Sequence, residues 1–158
     1  MSMSRTLAAA ILGLSLAALP TIGDAQSFQS GQPIMWGADE GVRTPTSLSL
    51  RGRAELTQGD SRIRADRVEA ALSGGDLTRV EATGSVYFVT PEQTIRGDRA
   101  VYTPANDTIV LTGDVILTQG ENVITGASLT YNTRTGTAQM GGGSNGRVQG
   151  VFYPQSGD

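Results

Sequence analysis

Apolar and polar side chains alternate one by one along most of the chain, which is the pattern of half-buried β-strands. The clearest run extends from Leu48 to Leu56, where leucine and alanine fall on one face and charged or polar residues on the other. The same arrangement returns between Ile109 and Leu117. After the first 25 residues no stretch shows sustained helical periodicity. Because glycine, asparagine and aspartate separate the alternating segments, the sequence predicts an all-β protein with tight turns.

The alternating segments form an internal repeat whose three clear copies follow one another at offsets of 32 and 29 residues. The aligned segments are GRAELTQG (52–59), GSVYFVTP (84–91) and GDVILTQG (113–120), followed by IRADRVEA (63–70), IRGDRAVY (95–102) and ITGASLTY (124–131). A fainter copy begins at PIMWGADE (33–40), with Ile34 lying 29 residues before Ile63. Such units stack on their neighbours, so we expect an elongated antiparallel structure with two facing sheets. A parallel β-helix is the alternative, although its coils are usually shorter and more regular.

Each clear copy contains a one-residue slip in the alternation. Ile95 and Gly97 share one parity, whereas Ala100 and Tyr102 share the other. The equivalent pairs in the other copies are Ile63 and Ala65 before Val68 and Ala70, and Ile124 and Gly126 before Leu129 and Tyr131. One extra residue between two apolar pairs is typical of a β-bulge or a sharp strand corner, and small residues suit such a bend. We therefore predict that each strand turns a corner there and keeps its apolar face inward.

The amino terminus has the pattern of a secretory signal peptide. One positive charge, Arg5, precedes the apolar run Leu7–Leu19, which Pro20 ends, and small residues lead up to Ala25. A retained anchor is the alternative, but thirteen residues are too few to span about 30 Å of hydrocarbon as a helix. We expect cleavage after Ala25 and a single mature domain over 26–158, with an ordered core of about 33–154.

Composition narrows the chemistry. The chain has no cysteine, no histidine and no lysine, and its net charge is −3. The usual nucleophiles, general bases and zinc ligands are therefore missing, and a nucleic-acid partner is disfavoured. We expect neither enzymatic activity nor a cofactor or metal. Four aspartates, Asp60, Asp76, Asp107 and Asp114, stand in turn contexts, which favours turn closure over glycosidase-type acid–base catalysis.

Two features invite other interpretations. The tripeptide RGD at 96–98 aligns with RAD and TGA in the other copies, so it is a variant of the predicted corner and not an adhesion motif. A group of arginines lies at positions 51, 53, 62, 64 and 67, with acidic residues between them. A solvated outer face of mixed charge is the simpler interpretation, and contact with phosphate is the alternative.

Segment 110–140, VLTGDVILTQGENVITGASLTYNTRTGTAQM, closely resembles the OstA-like repeat of the periplasmic lipopolysaccharide transport family typified by LptA. The likeness continues upstream through 50–70 and the opening at 33–40, and RVQGVFYPQ (147–155) resembles the closing strand. The resemblance implies a β-jellyroll, open like a V along one side, whose apolar groove carries the lipid A acyl chains of lipopolysaccharide. The chain lacks the lysine-rich tail of some members.

The resemblance also implies site residues and partners. Ile34, Phe88 and Tyr102 match groove-lining positions, with Leu111, Leu117 and Tyr131 as interior neighbours. The implied partners are an inner-membrane-anchored LptC-like jellyroll protein and the amino-terminal domain of an LptD-like outer-membrane translocon. Many inward residues are small, which favours an unfilled apolar cleft over a packed core. A structural or adhesive β-repeat protein of the cell envelope with no lipid ligand is the alternative function.

A stack of β-repeats that does not close leaves unpaired backbone groups on its terminal strands. Little in Ile34–Asp39 would block pairing with another strand, and segment 146–154 is apolar and β-prone. We therefore expect head-to-tail association by strand addition, with Val148, Val151 and Phe152 at the carboxyl-terminal edge.

Overall fold

The computed structural model describes residues 32–144 and 146–154, so the predicted signal peptide, residues 1–25, lies outside the described residues. The described chain forms ten β-strands and one 3₁₀ turn, Pro104–Asn106. The strands are β1 (Met35–Gly37), β2 (Glu40–Arg43), β3 (Ser47–Gln58), β4 (Ser61–Ser73), β5 (Asp76–Val89), β6 (Thr94–Thr103), β7 (Thr108–Gln119), β8 (Asn122–Asn132), β9 (Ala138–Gly141) and β10 (Gln149–Val151). Within these residues no helix is long and apolar enough to cross a membrane.

All ten strands belong to one antiparallel sheet. Its order is β1-β3-β4-β5-β6-β7-β8-β10, with β2 also paired to β3 and β9 also paired to β8. The expectation of an all-β antiparallel fold is confirmed, and a parallel β-helix is excluded. The expectation of two separate facing sheets is wrong, because each long strand continues through a bend and contributes to both sides of the structure.

The bend is produced by a row of bulges, which we call the corner. Each bulged strand places two residues with positive φ opposite a single residue of its neighbour: Gly52 and Arg53 on β3, Gly84 and Ser85 on β5, and Gly113 and Asp114 on β7. Two residues opposing one increase the local twist and turn the sheet. The predicted corner is therefore confirmed, but the extra residues lie on the odd-numbered strands and not on the strands where the slip was read.

The slip in the even-numbered strands reflects two successive outward residues at the corner. In β4 these are Asp66 and Arg67, while Ala65 and Val68 on either side are buried. The third copy deviates, because Ile124 in β8 is 37% exposed.

Aspartates make glycine obligatory at the corner. The side chains of Asp39, Asp66 and Asp98 each lie against the glycine of the following bulged strand, where an added Cβ would overlap the carboxylate. The same three glycines, Gly52, Gly84 and Gly113, have φ between 73° and 83°, a conformation that disfavours any other residue. Both the backbone angle and the available space therefore require glycine.

The corner divides the sheet into two arms. Arm 1 contains β1, β10 and the parts of β3–β8 that pair with them, and arm 2 contains β2, β9 and the remaining parts. Inward residues form rows across each arm: Trp36, Leu56, Ile63, Phe88, Ile95, Leu117 and Ile124 in arm 1, and Leu48, Ala70, Val80, Tyr102, Ile109 and Tyr131 in arm 2. Most of these side chains are buried in one common core. The two arms therefore face each other as the sides of a V.

The structure corrects the alignment of the faint first copy. Leu56 pairs with Ile63 on one side and with Trp36 on the other, so Trp36 is the structural counterpart of Ile63. Ile34 lies two residues before this position, because segment 37–39 crosses the corner with one residue more than the equivalent part of β4.

Candidate functional site

A cleft of about 1070 Å³ lies between the amino-terminal strands of arm 1 and the tip of arm 2. Arm 1 lines the cleft from β1, β3 and the residues before them, and arm 2 lines it from the ends of β4, β5 and β6 with their turns. The apolar lining residues are Ile34, Trp36, Leu48, Leu56, Ala70, Leu72, Leu77 and Tyr102. An apolar cleft of this size, held open by a continuous sheet, is the form of a preformed site for an apolar ligand.

Charged side chains reach the cleft only at its arm 2 border within the described residues. They are Arg43, Asp76, Asp107 and Arg134. The Arg134 Nε donates a hydrogen bond of 3.0 Å to the Asp107 carboxylate. The apolar wall is therefore bordered by two cations and two anions.

Trp36, the only tryptophan in the chain, lies at the cleft beside the corner. Its indole packs over Gly41 of β2, where an added Cβ would lie 3.2 Å from the ring and 3.3 Å from a methyl of Leu50. The indole remains 51% exposed. Sequence reasoning missed Trp36 as a site residue, although its pairing with Leu56 follows from the repeat once the corner is placed.

The six residues proposed to contact lipid all face the interior of the V, but they occupy two different environments. Ile34 and Tyr102 line the cleft, with Ile34 38% exposed. The other four are buried in the core: Phe88, Leu111, Leu117 and Tyr131. The cleft instead contains Leu48, Leu72 and Leu77, which the sequence analysis did not single out.

The arms are closed where β5 of arm 1 meets β8 of arm 2. The Phe88 and Tyr131 rings lie 5.7 Å apart between centroids, tilted by 51°. The Tyr131 hydroxyl is hydrogen-bonded to the side chain of Gln93, in the turn between β5 and β6 at the tip of arm 1. Burial raises the pKa of Tyr131, the Gln93 hydrogen bond opposes this, and the nearby Glu92 carboxylate adds to the rise. We call Phe88, Gln93 and Tyr131 the seal.

Tyr102 stands between the cleft and the core. Its hydroxyl is hydrogen-bonded to Thr133 within arm 2. Burial, and secondarily the Asp107 carboxylate, raises the pKa of Tyr102 to about 12, with the Thr133 hydrogen bond opposing the shift. The phenol is therefore neutral at any physiological pH.

The arginine group does not reach the cleft. Arg62 and Arg64 lie 3.6 Å and 3.5 Å from the Glu55 carboxylate, and Arg67 lies 4.0 Å from Glu69. Arg53 is hydrogen-bonded to Asp39 at the corner. These contacts agree with an outer face of mixed charge. In the described part of the chain, no three acidic side chains lie close enough together to hold a metal ion.

The predicted partner edge is exposed. Val151 lies in β10, the three-residue strand at the border of arm 1, and is 54% exposed. Val148 and Phe152 flank this strand and are 44% and 74% exposed. The Tyr153 N–H donates to the Asn122 side-chain oxygen (2.8 Å) and holds the segment against β8. At the opposite border, β1 and β2 are exposed along their whole length.

Three known sequences or sequence groups are similar to this chain. The profile of the family described as LptA/(LptD N-terminal domain) LPS transport protein matches residues 41–137. An uncharacterized protein of Rhizobium meliloti (strain 1021) is 30% identical over 172 residues, which cover 97% of this chain and 92% of that protein. The LPS-assembly protein LptD of Neisseria meningitidis is 31% identical over 113 residues, which cover 72% of this chain but only 13% of LptD.

The fold is also that of a solved structure. LptH of Pseudomonas aeruginosa, described as the LptA homologous periplasmic component of the lipopolysaccharide transport device, superimposes with a TM-score of 0.70. The superposition covers 78% of this chain and 96% of LptH at 22% identity. The bent single sheet is therefore an LptA-like jellyroll. Because the family profile spans more than half of the sequence, the chain belongs to the family of LPS transport proteins formed by LptA and the amino-terminal domain of LptD.

Proposed function

We propose that this protein carries lipopolysaccharide from the inner to the outer membrane, with its acyl chains held in the cleft between the two arms. The observation that carries this proposal is the apolar cleft of about 1070 Å³ between the arms of the sheet, in a chain of this transport family. Each methylene of an acyl chain that leaves water for such a surface gains about 0.8 kcal/mol. A few methylenes therefore suffice for stable binding.

The protein acts as a carrier and not as an enzyme. The described residues contain no arrangement that resembles a catalytic centre, and the sequence has no nucleotide-binding motif. Movement of the lipid then depends on differences in affinity along a series of similar clefts, with the energy supplied elsewhere.

Its location is the periplasm, reached through cleavage of residues 1–25. There the single domain over 26–158 bridges an LptC-like jellyroll protein anchored in the inner membrane and the amino-terminal domain of an LptD-like translocon. The exposed border strands β1 and β2 at one end, and β9 and β10 at the other, are the surfaces for these contacts. Strand addition at these edges would extend the sheet from one jellyroll into the next.

The corner favours head-to-tail over head-to-head joining. Long strands with a bulge alternate with strands without one, and this alternation brings the arms to the same bend in every repeat. The carboxyl-terminal border follows β8, which is not bulged, and the amino-terminal border precedes β3, which is. Carboxyl-terminal against amino-terminal borders therefore continue the alternation, whereas two like borders interrupt it.

The test of lipid binding is a charge placed in the cleft, with a matched charge on the outer face. Ile34 lines the cleft and Val110 faces outward from β7, and both are 38% exposed. Ile34→Asp should weaken binding of lipopolysaccharide roughly 10- to 100-fold, because a carboxylate is costly against acyl chains. Val110→Asp should bind normally. The fluorescence of Trp36, the sole tryptophan, reports binding directly.

Equal binding by both variants would place the lipid elsewhere than in the cleft. No binding by the delipidated unmodified protein would favour the alternative, a structural or adhesive β-repeat protein of the envelope.

A further inference from the structure

The seal divides the interior of the V into two compartments. On one side lies the open cleft beside β1, and on the other lies the core beside the carboxyl-terminal border, since Tyr131 pairs directly with Ala138 of β9. Phe88 and Tyr131 are only 1% and 6% exposed. An acyl chain in the cleft therefore cannot reach the carboxyl-terminal border unless this ring contact opens.

The polar part of the seal is held in place by its own turn. The Thr90 N–H donates to the Gln93 carbonyl oxygen (2.9 Å), and the Gln93 N–H donates to the Thr90 hydroxyl (3.3 Å). These two bonds fix Gln93 at the tip of arm 1, from which its side chain reaches the Tyr131 hydroxyl of arm 2. A hydrogen bond is directional, so this contact holds the arms at one separation in a way that ring packing alone does not.

We propose, resting on the function proposed above, that the seal stops acyl chains at the end of the cleft and that its opening governs transfer to the next domain. Gln93 and the Tyr131 hydroxyl are positioning residues in this step. They do not contribute to the affinity of the cleft, because the ligand does not contact them while the seal is closed. Their loss should therefore change the rate of transfer and leave binding unchanged.

The test compares removal of the hydroxyl in the seal with removal of one outside it. Tyr131→Phe keeps the ring and deletes the hydrogen bond, and Gln93→Leu deletes it from the other side. Tyr87→Phe, on the outer face beside Phe88, and Gln119→Leu, also at the tip of arm 1, are the matched controls. Each variant is loaded with lipopolysaccharide, its affinity is measured through Trp36 fluorescence, and its rate of transfer to an immobilised second copy is followed.

Loss of one net hydrogen bond corresponds to about a fivefold change in an equilibrium, so both seal variants should transfer about five times faster. Their affinity should stay within about twofold of the unmodified protein, and both controls should behave as the unmodified protein. Transfer at the unmodified rate by both seal variants would overturn the proposal. A loss of affinity in the seal variants would also overturn it, because these residues would then contact the bound lipid. Failure of the unmodified protein to bind lipopolysaccharide would instead overturn the proposed function.

Discussion

The cleft and the seal are built from the same repeat, yet one is open and the other closed. At the cleft, Leu56 of arm 1 and Ala70 of arm 2 are inward residues of modest size. At the seal, the corresponding rows contribute Phe88 and Tyr131, whose rings meet across the V. The corner sets the separation of the arms in both places, because bulges occur in every odd-numbered long strand. Side-chain volume therefore decides where the interior is packed and where it receives a ligand.

The largest difference between the two regions should appear on truncation. Phe88→Ala should lower the free energy of unfolding by about 3–5 kcal/mol, the usual cost of removing a fully buried aromatic ring. Leu72→Ala, in the partly exposed cleft wall, should cost about 1 kcal/mol, since much of its surface is already in contact with water. Urea denaturation of both variants measures the difference.

Similar losses at the two positions would mean that the cleft wall packs as tightly as the seal. The distinction between an open and a closed region would then have to be abandoned.

Much of this architecture is visible in the sequence, because it depends on local patterns. The parity of Ile95, Gly97, Ala100 and Tyr102 predicts a corner in β6, since an inward side chain on a strand must recur at every second residue unless the strand bends. The position of the extra residues was harder to predict. Gly113 and Asp114 both have positive φ, and a positive φ at a residue other than glycine has no local sequence signal.

The division between cleft and seal could not be predicted, for a physical reason. Phe88 and Tyr131 lie 43 residues apart and belong to different rows, and they meet only because the arms are rotated against each other. No periodicity along the chain encodes that rotation. The same limit explains why Phe88 was expected to line an open groove, while Trp36, two residues beyond Ile34, was overlooked.

High pH should separate the two regions more finely. Burial holds the pKa of Tyr102 at about 12 and raises that of Tyr131, so folding favours the neutral phenols. Their contribution to stability is complete below about pH 10, the ordinary pKa of tyrosine, and is lost as the pH rises through the folded-state pKa. For Tyr102 the loss between about pH 10 and pH 12 should reach about 2–3 kcal/mol.

Urea denaturation of Tyr102→Phe and Tyr131→Phe across this range provides the measurement. Each substitution should remove its own share of the pH dependence, and the Tyr102 share should be the larger. An unchanged pH profile in Tyr102→Phe would show that this phenol ionises in the folded protein as easily as in the unfolded chain.

The smallest effect on folding, and the most informative for the bridge, is expected at the carboxyl-terminal border. In a head-to-tail series the seal of one copy stands next to the cleft of the following copy, so closed and open regions alternate along the path of the lipid. Val151→Pro removes a backbone donor from β10 and restricts its conformation. The free energy of unfolding should change by less than about 1 kcal/mol, because exposed substitutions of this kind disturb no core packing. Concentration-dependent oligomers in sedimentation velocity, and binding to an LptD-like amino-terminal domain, should both be lost. Val151→Ala, which keeps the N–H, should retain both. Oligomers that persist in the folded proline variant would exclude the β10 edge as the joint and would end the argument that cleft and seal alternate along a continuous sheet.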